Sequence, residues 1–138
     1  MSMTFFDRLM ILTAAAMILG TPGWARKYQF ASNSSVPAAS GNVDTHKDKN
    51  GNIQVHLTVS NLARPSELTP PATDYVVWFQ PRGSEPQNEG QLTVSSHLKG
   101  DFKASAQTGS FDVFITAESD GRSKSPSGQE VLRTTVQD

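Results

Sequence analysis

Asp74-Tyr75-Val76-Val77-Trp78-Phe79-Gln80 is a run of β-branched and aromatic residues with Pro70-Pro71 before it and Pro81 after it. In an extended strand successive side chains point to opposite faces. Tyr75, Val77 and Phe79 therefore share one face, and Val76 and Trp78 the other. A strand with one face in water needs only one apolar face. A strand with two is predicted to be central and covered on both sides.

Outward from this strand the chain alternates between short apolar strands and polar turns. Ile53, Val55, Leu57 and Val59 alternate with Gln54, His56, Thr58 and Ser60, which predicts a strand with a core face and a solvent face. Asn50-Gly51 precedes it, a strong hairpin signal because both residues tolerate positive φ, so Gly41–Val59 is expected to be a hairpin. Asn61–Asp74 is a proline-stiffened connection, with Leu62 and Leu68 expected to plug it against the core. Pro81–Gly90 is expected to be a polar loop, Gln91–Val94 a short strand and Leu98–Ser105 another. In Phe111–Glu118, Phe111, Val113, Ile115 and Ala117 share one face, while Phe114 lies on the other between Asp112 and Thr116. This strand is the expected partner of Tyr75–Gln80, with Phe114 either exposed or covered by a loop. Glu130–Val136 is expected to be the last strand. The fold expected is all-β, an immunoglobulin-like Greek-key sandwich of about seven short strands, with a small barrel as the alternative. The sandwich domain is expected over residues 41–138.

Residues 1–25 are expected to be a signal peptide, with an uncleaved N-terminal anchor helix as the alternative. Leu9–Gly20 is an apolar run of about a dozen residues, the length of a secretory h-region and shorter than the roughly 20 residues of a membrane span. Gly23 and Ala25 supply the small residues of a cleavage site after Ala25. No second apolar run follows, so no membrane span is expected after cleavage. Residues 26–40 are expected to be a flexible N-terminal segment, a tether or a late-docking strand. The chain has no cysteine, which excludes disulfides, a thiol nucleophile and a cysteine-linked lipid anchor. Export without cysteine suits a bacterial envelope, so a periplasmic or secreted location is expected. The formal net charge is −1 with charges interspersed, and no basic stripe is present to neutralise phosphates, so nucleic acid is not an expected partner.

Chemistry is sparse. His46 and His56 flank the Asn-Gly turn, but a metal site needs three or four ligands. Asp48-Lys49-Asn50-Gly51-Asn52 departs from a calcium loop, since counting from Asp48 the glycine falls at position 4 and position 12 is serine. No Gly-x-Ser-x-Gly elbow occurs. Ser127, before Gly128, is expected in a flexible loop that would not hold a nucleophile. Glu85 and Glu89 are expected to be solvated in a Pro/Gly loop. No catalytic, cofactor-binding or metal-ligating residue is assigned, no cofactor is expected, and the binding surface is left open.

One resemblance emerges from the second half of the chain. Tyr75-Val76-Val77-Trp78-Phe79, Gly90-Gln91-Leu92, Gly100-Asp101-Phe102, Phe111–Glu118 and Ser125-Pro126-Ser127-Gly128-Gln129-Glu130-Val131-Leu132 follow in an order that resembles the C-terminal extracytoplasmic domain of anti-sigma-K factors. The similarity covers residues 74–132. Those factors carry a cytoplasmic sigma-binding segment and a membrane helix ahead of this domain, whereas here a signal peptide and a hairpin stand in that place. The resemblance implies an exported, non-catalytic binding or interaction module of the bacterial cell envelope whose partner is an envelope protein or ligand. A structural or adhesive protein assembling through strand edges is the alternative, and a small secreted enzyme ranks last.

Overall fold

A computed structural model describes residues 25–32 and 36–137. The signal segment expected over 1–25 lies, apart from Ala25, outside the described residues. The described chain forms nine strands: β1 (Ala25–Gln29), β2 (Ala31–Ser32), β3 (Ser40–Lys47), β4 (Ile53–Ser60), β5 (Asp74–Pro81), β6 (Gln87–Leu92), β7 (Gly100–Ala106), β8 (Ser110–Glu118) and β9 (Gln129–Gln137). They make two antiparallel sheets, a four-stranded one in the order β1-β3-β4-β7 and a five-stranded one in the order β2-β9-β8-β5-β6. The described chain is therefore all-β and built of two separate sheets rather than one closed barrel.

The core lies between the sheets and follows the alternation in the sequence. From the smaller sheet Val43, Ile53, Val55, Leu57 and Val59 point inward; from the larger, Tyr75, Val77, Phe79, Val113 and Ile115 do so. The β3–β4 hairpin closes at the Asn-Gly turn, where Asp48 Oδ1 accepts the N–H groups of Asn50 (2.9 Å) and Asn52 (3.0 Å). Leu62 and Leu68 are buried in the β4–β5 connection, as their isolation among polar residues and prolines predicts. β5 is central, paired with β6 on one side and β8 on the other; Trp78 faces Phe114 across the β5–β8 pair.

Two expectations need correction and one is narrowed. Of the two readings of 26–40, a tether or a late-docking strand, the described residues follow the second: β1 pairs with β3, β2 pairs with β9, and Val36 and Ala39 are buried. Its short runs look unstructured alone because their partners are distant in sequence; Tyr28 Oη donates to Gln137 O at 2.6 Å. The strand expected over 91–94 is β6, which begins at Gln87, so the supposed loop ends four residues early. Gln87-Asn88-Glu89-Gly90 shows no apolar alternation because β6 is an edge strand. Finally, β7 begins at Gly100; Leu98 lies in the preceding turn with φ 60°.

Both bulges in the larger sheet reset side-chain direction. On β9, Ile115 faces Leu132 but Thr116 faces Glu130, so Val131 is the extra residue. Val131 and Leu132 can both enter the core, while Glu130 and Arg133 share the outer face. That outer face is not bare. Val76, Trp78 and Phe114 form a second buried cluster on it, and Trp78 is as fully enclosed as Tyr75 on the opposite face. Trp78→Ala is therefore expected to cost about 3–5 kcal/mol, the range for a buried large aromatic. Thermal or denaturant unfolding checks this, and a change of under about 0.5 kcal/mol, as for a surface site, would contradict it.

Candidate functional site

The outer face of β5, β8 and β9 is where polar side chains converge. Alternation along β8 sends Phe114, Thr116 and Glu118 outward, and pairing with β5 sets them beside Trp78, Val76 and Asp74. Trp78 and Phe114 stack with ring centroids 6.4 Å apart and planes 17° apart. The Arg133 guanidinium lies over the Phe114 ring, 4.1 Å from its centroid, and also bonds Asp112 Oδ2 (2.6 Å) and Glu130 Oε1 (2.8 Å). Arg133 thus covers one flank of the aromatic cluster with a charge held on both sides by carboxylates.

The other flank is covered by the loop from Ser119 to Gly128, and Glu118 is what holds it. Trp78 Nε1–H donates to Thr116 Oγ1 at 2.7 Å, and the Thr116 hydroxyl in turn donates to Glu118 Oε2 at 2.5 Å. From the loop, the Ser127 hydroxyl donates to Glu118 Oε1 (2.8 Å), Gly128 N–H to Oε2 (3.0 Å) and Ser127 N–H to both oxygens (3.3 and 3.2 Å). Only 1% of Glu118 is exposed, and no cation meets it in an ion pair among the described residues. Burial pushes its carboxyl up, but the bonds from Thr116, Gly128 and Ser127 outweigh that and hold it below the ordinary glutamate range. Gly128 is required by proximity: a Cβ there would sit 1.7 Å from the Ala117 carbonyl oxygen.

The middle of the loop is tied to β5 and β6. Gly121 N–H donates to Asp74 Oδ2 (3.2 Å), and Asn88 Nδ2 donates to Gly121 O (3.1 Å) and Ser123 O (2.8 Å). Asp74 and Glu118 face each other across the β5–β8 pair, and each of these like charges is met by loop N–H groups. Between loop and β6 runs an open groove of about 660 Å³, lined by Asn88, Gln91, Arg122 and Lys124 among others. Neither Arg122 nor Lys124 has an ion-pair partner among the described residues. Two free cations over side-chain amides form a surface suited to acidic or hydrogen-bonding groups.

The structure separates most of the residues singled out from sequence. His46 faces Gln54, and His56 faces Asp44, so the two imidazoles are not opposite each other; His56 instead bonds Asp101 on β7. Among the described residues no three His, Cys, Asp or Glu side chains gather to hold a metal. Ser127 is not in a free loop: Glu118 fixes both its hydroxyl and its backbone. Glu89 is not in a loop either, but half-buried on β6. The network around Glu118 is the part that sequence reasoning missed. Its one local signal was a carboxylate on the same face as Trp78, Phe114 and Thr116, a face too apolar to be solvated.

No family model, curated protein or solved structure matches this chain.

The depressed ionisation of Glu118 fixes a sign. Its carboxyl ionises at lower pH folded than unfolded, so its stabilisation is complete above the usual glutamate value of about 4.3. It is lost as pH falls through the lower folded value. Glu118→Gln is expected to lower stability at neutral pH by about 1–3 kcal/mol. It should also flatten the acid side of a stability-against-pH curve; an acid limb identical to that of the unsubstituted protein would contradict the assignment.

Proposed function

We propose that this chain is an exported, non-catalytic recognition module of the bacterial cell envelope. It presents the groove beside loop 119–128 to an envelope partner bearing acidic groups. The observation that carries this reading is that the loop is pinned rather than free. Glu118, Asp74 and Asn88 hold it at three places, so Arg122 and Lys124 stand on a fixed backbone beside β6. A preorganised polar surface loses little entropy when a partner settles on it. The strand order supports an immunoglobulin-like Greek key: β3-β4-β7 opposes β6-β5-β8-β9, with connections that cross between sheets after β4, β6 and β7. The resemblance to the outer domain of anti-sigma-K factors and the signal-like first segment support the address.

Assembly through strand edges is the second reading, and the edges argue against it. Arg26 and Lys27 stand exposed on β1, Asp101 and Lys103 on β7, β6 is bulged, and β2 is two residues long. Charge, bulging and shortness are the devices that keep edges from pairing with copies of themselves. The expected hydrodynamic state is therefore a monomer at all concentrations.

A photo-reactive residue at position 122 tests the surface in intact cells, with one at position 103 on the opposite sheet as control. The expected result is a saturable adduct of defined size from 122 and none from 103, with sedimentation of the purified protein showing a monomer. Equal labelling from both positions, or self-association, would overturn the reading.

A further inference from the structure

β6 carries one residue more than its partner. Val77 faces Gly90 and Trp78 faces Asn88, which leaves Glu89 without a counterpart on β5. A bulge re-aims the side chain it carries. Here Glu89 lines a cleft of about 460 Å³ at one end of the molecule, between β5, β6 and β8 of one sheet and the end of β7 in the other. The walls of the cleft are largely polar, and at its bottom lie the nearly buried Phe79 and Phe111, ring centroids 5.0 Å apart, and Ala106. Ser105, Gln107 and Thr108 line its rim, with Ser105 Oγ accepting from Gln54 Nε2 at 3.3 Å and Thr108 Oγ1 from Ser110 N–H at 3.4 Å. Gly90 packs against Phe102 of β7, where a Cβ would meet the ring at 3.1 Å; this contact brings the two sheets together beside Glu89.

The carboxylate of Glu89 has no hydrogen-bond or ion-pair partner among the described residues, and no cationic side chain lines the cleft. Burial alone pushes its carboxyl above the ordinary range. A half-desolvated anion without a partner is costly, and folded proteins ordinarily supply one. Glu118 shows the contrast within this chain: it is more deeply buried, yet saturated with donors. The bulge sets Glu89 beside an apolar floor instead, in a space within the roughly 300–1,000 Å³ of small-molecule sites.

We propose that this cleft binds a small organic cation, an ammonium group on a short apolar body, with the charge at Glu89 and the body over the Phe79–Phe111 floor. The absence of lining cations sets the sign of the ligand. Gln87 and Gln107 on the rim offer amides to the ligand, and the aromatic rings below select against fully hydrated inorganic ions. The site stands independently of the loop groove.

Nitrogen-15 correlation spectra during titration with benzylammonium chloride, benzyl alcohol and sodium benzoate, at constant ionic strength, test the proposal. Benzylammonium is expected to give saturable shifts centred on Glu89, Ser105 and Phe111. Benzyl alcohol should bind at least about tenfold more weakly, and benzoate should give no saturable shifts. Glu89→Gln should weaken benzylammonium about tenfold without lowering the melting temperature, since it removes an unpartnered charge. Glu89→Asp should keep the preference for ammonium over alcohol. Shifts that fail to saturate or centre elsewhere, equal binding of ammonium and alcohol, or indifference to Glu89→Gln would overturn it.

Discussion

A buried carboxylate with no cation beside it among the described residues governs the outer face of the larger sheet. Glu118 is held by hydrogen bonds alone, from Thr116 on its own strand and from Ser127 and Gly128 at the far end of the loop that starts beside it. Each bond to an ionised group is worth about 1.5–3 kcal/mol net, whereas an uncompensated buried charge costs several kcal/mol. The imbalance makes the closure cooperative: removing the donors exposes or strands the anion, and removing the anion leaves buried N–H groups unmatched. The loop stays down beside Val76 and Trp78, while Arg133 lies over Phe114, and the cluster stays dry. Without that cover the larger sheet would present an aromatic patch to water.

The central strand was legible because its signal is local. Two apolar faces in Tyr75–Phe79 require two covers, and the structure provides the opposite sheet for one and the loop for the other. The core face of β4 was equally plain. What sequence could not show are pairings between distant residues. Loop 119–128 is rich in Ser, Gly and Pro and carries no sign of being pinned, because its anchors are Glu118 at one end and Asn88 and Asp74 far away in sequence. β6 hid for a different reason: an edge strand with a bulge loses both the apolar run and the strict alternation by which strands are recognised. From sequence alone Glu89 therefore reads as a solvated carboxylate in a Pro/Gly loop, whereas it lies half-buried on the bulge of β6.

Trp78, Thr116, Glu118 and Ser127-Gly128 form one chain of hydrogen bonds. That gives a physical reason for a tryptophan, a glutamate and a Ser-Gly pair at those separations, namely the fixing of a surface loop. β6 is then the shared wall of two different surfaces. Asn88 on its outer face anchors the loop beside the basic groove, while the bulged Glu89 lines the acidic cleft at the sandwich end. One short edge strand thus separates a site of positive character from one of negative character.

Hydrogen exchange at the Trp78 indole N–H tests the central claim most directly, because that proton lies at the inner end of the Glu118 chain and beneath the loop. In the unsubstituted protein it should exchange slowly, near the rate of core amides. In Glu118→Ala it should exchange orders of magnitude faster while the core amides of Val55 and Leu57 stay protected, since only the cover has opened. Indole exchange in Glu118→Ala as slow as in the unsubstituted protein would show that something other than this carboxylate holds the loop in place.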